Sequence, residues 1–437
     1  MIRKFLGLLI LLFICQISTA QQGTSSPYSF LGIGDLKFNG TTENRSMGGI
    51  SVYSDSIHIN LQNPASYGNL KFTTYALGAS YNQLRLESDN GEDKGSSTSL
   101  DYLAVAFPLT SKLGVGFGLV PFTSVGYSFE GIGETGFASA PFKFAQYEGE
   151  GGLNSVFLSL GYKIAKGFSI GGTVNYNFGT IENQNTEFLG DVDEEGTFFR
   201  TLNYGTRSRD ESRLSGLSYN LGAYYETKFN DKLSLTTSLT FAPQSDITSR
   251  NTRTLTALNI TGAGGEIISP GQQDQVDLGR RTKTDLVLPT RLSLGAGIGE
   301  RNKWFTAIEY TLQNNSDFGN GLTVIENVNY ENGSKLAAGG FYIPKYNSFT
   351  SYWERVTYRA GIRYEDTGIM VRNEAINDFG ISFGVGLPVG RTLSNVNLGV
   401  EFGRRGTTNS GLIKENYVNF QISLSLNDKW FIKRKYN

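Results

Sequence analysis

Cysteine is almost missing from this chain. Its 437 residues include one, Cys15, and that one falls in an N-terminal leader. A mature chain without cysteine has no disulfide, no thiolate nucleophile and no thiolate metal site. Histidine is equally scarce: His58 stands alone, which excludes a multi-histidine metal centre and most imidazole-based acid–base chemistry. Charged residues reach only 18%, low for a soluble surface. With 39 Lys+Arg against 40 Asp+Glu the formal charge is −1, which excludes a globally basic nucleic-acid binder. No phosphate loop or dinucleotide fingerprint is visible, and neither cofactor nor metal is expected. What the chain has in excess is glycine, 54 residues, about one in eight and nearly twice the usual share. Aromatics make up 13%, with 23 Tyr and 29 Phe.

Residues 1–20, MIRKFLGLLILLFICQISTA, read as a signal peptide. Arg3 and Lys4 form a positive start, Phe5 to Ile14 an apolar stretch too short to span a membrane, and Ser18-Thr19-Ala20 a small-residue cleavage site before Gln21. Ile14 stands where a lipoprotein signal needs a small residue, so Cys15 is not expected to carry lipid. Loss of the leader's two cations takes the formal charge from −1 to −3. After Ala20 no apolar run approaches the roughly 18 residues of a spanning helix. A secreted, periplasmic or outer-membrane protein remains.

The informative pattern is period-two alternation. In Tyr417–Leu426 the even positions are Val418, Phe420, Ile422, Leu424 and Leu426, and between them stand Asn419, Gln421, Ser423 and Ser425. One face is apolar and the other polar, as a strand between lipid and an aqueous lumen requires. The pattern recurs at 113–119, 156–164, 168–178, 217–225, 233–241, 292–298, 356–364, 379–387 and 396–403. The second face is rich in Gly, Ser, Thr and Asn rather than charge, which suits a crowded barrel interior better than an open soluble surface. Short turns near 110–112, 165–167, 230–232, 300–303 and 390–394 alternate with long polar stretches, the largest being 183–211, 249–279 and 317–350. Short turns on one side and long loops on the other are the outer-membrane pattern, with the short turns periplasmic.

The expected fold is therefore all-β: a transmembrane antiparallel β-barrel of about 14 strands. The strands fall at 70–86, 98–109, 112–129, 150–164, 167–182, 212–229, 232–248, 280–299, 303–316, 351–365, 369–376, 379–389, 395–406 and 414–427. Twelve is the alternative count, since 369–376 and 98–109 are the weakest. Tyr127, Phe129, Phe229, Tyr310 and Tyr417 stand near strand ends and read as an interfacial aromatic girdle. The chain divides into a leader (1–20), a segment before the wall (21–69) and the barrel (70–437). Residues 21–69 lack alternation yet carry Phe30, Leu31, Ile33, Leu36, Ile50, Val52, Ile57, Ile59 and Leu61, too apolar for a solvated tail. They are expected to fold inside the lumen as a plug.

Within that segment, Met47-Gly48-Gly49 followed by Asn63-Pro64-Ala65 resembles the N-terminal hatch of the FadL family of outer-membrane transporters for hydrophobic compounds. Looser likenesses are Leu288-Pro289 leading into Leu292–Gly295, Tyr358–Gly361, and Gly384–Pro388. The stretches NLGVEFGRRGTT and NDKWFIKRKYN look like those of Bacteroidetes-type barrels. The chain departs from many barrels in carrying Lys433–Asn437 beyond Trp430-Phe431. The resemblance implies a plugged barrel in the outer membrane of a Gram-negative bacterium, monomeric, with passive, ligand-gated uptake of fatty-acid-like hydrophobic or amphipathic molecules. It also implies a kinked third strand that opens sideways into the membrane. Pro121 is the candidate, since proline cannot donate a ladder hydrogen bond; a proline that merely ends regular pairing at the rim is the other reading.

Arg355, Arg359, Arg363, Glu309, Glu401 and Asp101 fall on predicted inward faces. A charge facing lipid at mid-depth costs about 2–4 kcal/mol, which favours the lumen. They read as a salt-bridge network bracing plug against wall, or as a polar path for a carboxylate headgroup. His58, between Ile57 and Ile59 with no serine elbow near it, reads as a plug histidine rather than a catalytic base, and no enzyme activity is expected. The acidic run Asp191–Glu195 reads as a solvated face. The alternative function is a non-transporting FadL-like barrel, an accessory subunit of a secretion or other outer-membrane complex, docking through 183–211 and 317–350.

Overall fold

The computed structural model describes residues 23–428 apart from 90, 137–140, 194–196, 261–265, 316–326 and 391–392. The predicted leader, the 429–437 tail and part of the acidic run at 191–195 thus lie outside the described residues.

Fourteen antiparallel strands form a closed wall. They are β1 (Thr73–Ser88), β2 (Gly91–Pro108), β3 in two pieces (Leu113–Pro121 and Thr123–Glu134), β4 (Phe142–Ala165), β5 (Phe168–Val192) and β6 (Phe198–Lys228). There follow β7 in two pieces (Leu233–Ala242 and Ser245–Ile260), β8 in two pieces (Lys283–Leu288 and Thr290–Glu300), β9 (Trp304–Asn314) and β10 (Gly333–Tyr342). The last are β11 (Thr357–Val371), β12 (Glu374–Pro388), β13 (Asn395–Arg405) and β14 (Lys414–Asp428). The ring closes where β14 pairs with β1, from Thr73 opposite Asp428 to Glu87 opposite Lys414.

Side-chain exposure is inverted relative to a soluble protein. On β14, Phe420, Ile422, Leu424 and Leu426 are exposed while Gln421, Ser423 and Ser425 are buried. On β4, Leu158, Leu160, Tyr162 and Ile164 face outward and Ser155 and Ser159 inward. An exposed apolar belt around a closed ring, with every strand paired to two neighbours over most of its crossing, is what hydrocarbon selects. Apolar side chains gain nothing by hiding from lipid, and backbone polar groups must be satisfied within the wall. The protein is an outer-membrane β-barrel.

Several expectations require correction. The count of fourteen is right although one of its members is wrong and one strand was missed. Residues 369–376 are no separate crossing: they form the hairpin between β11 and β12, turning at Arg372 and Asn373, both at positive φ. The missed strand is β10, hidden in the presumed 317–350 loop because its Ala337-Ala338-Gly339-Gly340 core carries little alternation. With β10 in place, 343–356 emerges on the same side as the short turns, so it is periplasmic. The stretches 183–211 and 249–279 are largely strand. β5 and β6 stay paired up to Val192 and Phe198, and β7 runs to Ile260 and folds back through Glu266–Val276. Twenty-five residues in β5 and 31 in β6 far exceed the roughly 9–11 that cross a bilayer, so β4–β6 rise above the membrane as a ribbon. Tyr417 is no girdle residue; it is buried and faces inward. Tyr127 likewise donates to Asn183 Oδ1 at 2.8 Å and stacks on Phe129. Phe229 and Tyr310 are exposed.

The lumen holds residues 23–70. Their upper part packs Tyr28 and Leu31 against Val371, Ile376 and Leu412 near the extracellular end. A single helical turn, α1 (Thr42–Arg45), and the stretch to Val52 cross the middle, with Met47, Ile50 and Val52 against Phe305, Ala307 and Ala337. Below, Ile59, Leu61, Tyr67 and Leu70 meet Ala76, Tyr102, Ala104 and Phe157.

Candidate functional site: the plug, its grip on the wall and the space above it

Two glycine-lined contacts hold the plug. At the first, Gly48 and Gly49 follow α1 with φ of +74° and +83°, a conformation that side chains with Cβ resist. The Gly48 amide donates to Ser382 Oγ at 3.0 Å. Opposite stand wall glycines with no room for a side chain. A Cβ on Gly361 would strike the Gly48 amide and the Met47 carbonyl, and one on Gly384 would strike the Ser46 side chain. At the second, Asn63 Oδ1 accepts the Ala65 amide at 3.0 Å, capping the short turn Pro64–Asn69, while its Nδ2 donates to the Ala223 carbonyl at 3.2 Å. Gly161, Gly171 and Gly222 admit Pro64 and Asn63, and Gly114 and Gly116 admit Tyr67. The inward glycines of the wall therefore let plug backbone meet wall backbone.

Charge supplies the rest of the grip. Glu401, 2% exposed, accepts from Arg45 of the plug at 2.7 Å and from Arg363 of β11 at 2.8 Å. Arg363 also reaches Asp378 at 3.1 Å and Tyr417 Oη at 2.6 Å. Glu309 accepts the Ser51 amide at 2.9 Å and the Ser51 hydroxyl at 2.6 Å. Arg359 donates to Asn397 Oδ1 at 3.1 Å, and Asn397 donates to Glu43 of the plug at 2.9 Å. Arg405 pairs with Asp35 at 2.6 Å. Asp101 stands at a bulge in β2 and accepts from Ser80 and Ser99 at 2.7 and 2.8 Å. Arg359, Arg363, Glu309, Glu401 and Asp101 are thus lumenal. Arg355 is not: it belongs to a short turn (Trp353–Arg355) in the periplasmic loop, stacked on Tyr352. The strand there begins only at Thr357, so the inward parity did not extend to Arg355.

Sequence parity would have found Arg405, which continues the inward series Asn397, Gly399, Glu401, Gly403, and Tyr417 by the same rule. Asp35 and Arg45 lie in a two-residue strand and a single helical turn, each too short to show a period.

At the periplasmic floor the Lys71 amide donates to Ser56 O at 3.1 Å and Thr74 Oγ1 to Ile57 O at 3.3 Å. His58 Nδ1 meets Asp55 Oδ2 at 2.6 Å. Burial works against the charged imidazole, but the Asp55 carboxylate outweighs it and raises the His58 pKa above its ordinary 6.5. Burial likewise opposes the charged Asp55, yet His58 and two backbone amides hold its pKa below 3.8. Among the described residues no hydroxyl is hydrogen-bonded to His58.

Above the floor lies a cavity of two joined chambers. One, of about 130 Å³, is lined by Leu31, Leu36, Leu61, Val120, Phe122 and Leu288 among lumenal asparagines and serines. The other, of about 280 Å³, is bordered by the ion pairs just described and by Lys335. Arg291, on the inner face of β8, borders both and has no ion-pair partner in hydrogen-bond reach among the described residues. It was missed at the sequence level, although it shares the inward parity of Ser293 and Gly295.

Pro121 ends the lower piece of β3, opposite Asn154. Below it β3 pairs with β2 from Leu103 to Pro108. Above it the strand leaves β2: its upper piece pairs with Asp35-Leu36 of the plug, Asp35 opposite Ser124, and with β4. The Lys37 amide donates to Phe122 O at 3.0 Å. Gly34, at φ +98°, permits this close approach. Among the described residues the upper half of β2 therefore has no partner strand on its β3 side.

Together these features define a plugged outer-membrane barrel. Its fold is that of FadL-type channels in solved structures. The monoaromatic hydrocarbon channel CymD is 13% identical with a TM-score of 0.56, over 90% of this chain and 98% of that one. A FadL homologue of Pseudomonas aeruginosa is 14% identical with a TM-score of 0.56, over 90% and 98%. The toluene transporter TodX of Pseudomonas putida is 15% identical with a TM-score of 0.53, again over 90% and 98%. No curated protein matches the chain in sequence. The chain belongs to the BamG family, whose model matches residues 1–437.

Proposed function

We propose that the barrel is a non-enzymatic, monomeric channel for hydrophobic or amphipathic small molecules, passive and gated by the ligand. The observation that carries this reading is the apolar chamber abutting the break at Pro121-Phe122. A fatty-acid-like molecule would enter from the extracellular mouth and lay its chain against Leu31, Leu36, Val120 and Leu288. Its anionic end would meet Arg291, a lumenal guanidinium with no ion-pair partner in hydrogen-bond reach among the described residues. Release would run sideways at Pro121, where β2 lacks its neighbour. The plug floor would bar free diffusion to the periplasm. The hydrocarbon channels that share the fold support the reading. The test is uptake of a fluorescent fatty acid by proteoliposomes. Pro121→Thr, which restores a ladder donor, should slow uptake several-fold; uptake unchanged in this variant would remove Pro121 from the path.

A second reading, an accessory subunit of a secretion or other outer-membrane complex, is favoured by the periplasmic loop 343–356. It is an ordered hairpin, Lys345 N donating to Glu354 O at 2.8 Å, that holds Phe349 fully exposed and Trp353 66% exposed. Purification in mild detergent, with bound lipids and proteins identified together, separates the two: a stoichiometric protein partner lost on Phe349→Asp supports the second reading.

A further inference from the structure

We infer that the wall has a second lateral opening, between β6 and β7, where the apolar chamber meets hydrocarbon. β6 is one unbroken strand, and its β5 edge is paired throughout this region, from Gly216 opposite Asn177 to Asn220 opposite Thr173. Its other edge is not. Leu221 to Lys228 pair with the lower piece of β7, and Tyr204 to Ser215 with the upper piece. Among the described residues Gly216–Asn220 have no ladder partner on that side, although Gly216 still abuts the backbone of Asp246-Ile247. They face Ala242–Ile247, where β7 is interrupted at Pro243-Gln244.

Proline explains the interruption. Pro243 lacks the amide that the ladder needs, and one strand further round Pro289 interrupts β8 at the same level, where Ala242 pairs with Arg291 and Ser245 with Leu288. The gap lies within the lipid belt, since Leu217, Tyr219 and Leu221 are outward and exposed. It also reaches the lumen: lumen-facing Ser218 and Asn220 border the same chamber as lipid-facing Tyr219, together with Ala242 and Pro243. The chamber therefore reaches the wall at the stretch where the ladder is missing. Backbone groups left unpaired in hydrocarbon cost several kcal/mol each unless something polar serves them. Water from the lumen, or the polar end of an amphipathic molecule, meets that need at this position.

This opening is separate from the break at Pro121. The two flank the tall β4–β6 ribbon on opposite edges, so a molecule in the chamber has a way into the bilayer on either side of it. What passes rests on the channel reading above; the opening itself does not, and its test has no transport readout.

The mature chain has no cysteine, so single thiols can be placed cleanly. Bimane is attached to Ser218→Cys, and as a control to Thr311→Cys, an inward residue of the paired wall at β9. Each is reconstituted in phosphatidylcholine vesicles with and without doxyl-labelled acyl chains, after heat-shifted gel mobility confirms a folded barrel. Quenching by the lipid nitroxide is expected to be several-fold stronger at 218 than at 311. Pro243→Thr combined with Gln244→Val, which favours a continuous strand, should reduce the signal at 218, and Pro121→Thr should leave it unchanged. Equal quenching at 218 and 311 would overturn the opening, as would a signal at 218 that follows Pro121 and ignores Pro243. If the quenching holds while fatty-acid uptake is absent, the opening stands and the channel reading falls.

Discussion

The two sides of the barrel treat the plug in opposite ways. Strands β9–β14 grip it. Glu401, Arg363, Glu309, Arg359 and Arg405 tie it by charge, and Gly361 and Gly384 bring backbone to backbone. Among the described residues, strands β2–β8 hold it without an ion pair: by the glycine-lined seat of Asn63–Tyr67, the two-residue pairing with Asp35-Leu36, hydrogen bonds of Thr42 with Tyr102 and of Ser29 with the Gly126 amide, and Ile33 packed among Val125, Leu153 and Ile181. Above that seat they leave a chamber and carry all three proline interruptions, at 121, 243 and 289. The difference separates two tasks in one lumen. One half-wall holds the plug by charge, and the other by packing and hydrogen bonds, so its ladders can be broken without loss of the whole.

The contrast can be broken at its strongest point first. Glu401→Gln leaves Arg45 and Arg363 facing one another without their buried counter-charge, and should destabilise the barrel by about 3–5 kcal/mol, read from denaturant unfolding in detergent. An unchanged midpoint would show that the charged side is not the fixed one. Next, Gly361→Val drives a side chain into the Gly48 amide and should cost about 1–3 kcal/mol or more, with residues 23–70 newly open to protease. Gly172→Ala, whose added carbon meets only Leu221 at 3.6 Å, should be nearly silent. On the open side, Arg291→Ala should leave unfolding unchanged and weaken retention of a carboxylate amphipath about tenfold, or roughly 1.4 kcal/mol. Loss of stability instead would place Arg291 among the structural charges. The smallest effect belongs to the floor. The raised His58 pKa means that its share of stability is present below pH 6.5 and is lost as pH rises through the higher folded value. The lowered Asp55 pKa means that its share is present above pH 3.8 and is lost as pH falls through the lower folded value. The clasp is therefore strongest between those limits. Asp55→Asn should flatten the pH dependence of unfolding by less than about 1 kcal/mol, and a profile identical to the parent would remove the clasp from the stability balance.

Much of the wall was legible because lipid enforces a strict period. Outward residues must be apolar in every crossing, so β4 and β14 could be read, and β2, β9, β11 and β13 with the inward charges Asp101, Glu309, Arg359, Arg363 and Glu401. Where that pressure relaxes, reading failed. β10 buries small Ala and Gly against Met47 and was taken for loop, while the aqueous ends of β5 and β6 carry polar residues on both faces and resemble loop although they are paired. Compensating errors at β10 and 369–376 left the total at fourteen. In the plug, Gly48-Gly49 and Asn63-Pro64-Ala65 could be singled out by residue type, and Pro121 by its missing amide. Their seats on Gly361, Gly384, Gly171 and Gly222 could not, since no local pattern says which wall glycine faces which plug residue.

Composition and alternation by themselves determined that this chain spans a membrane as a closed barrel with an apolar segment to hide inside it. Period two is a local property, enforced at each residue by hydrocarbon on one side. Which charges meet, that Arg355 lies outside the lumen, that Arg291 has no ion-pair partner among the described residues, and that three prolines interrupt strands on the same side were decided only by closure of the ring. Closure sets the register between strands far apart in sequence, and register decides what faces the plug.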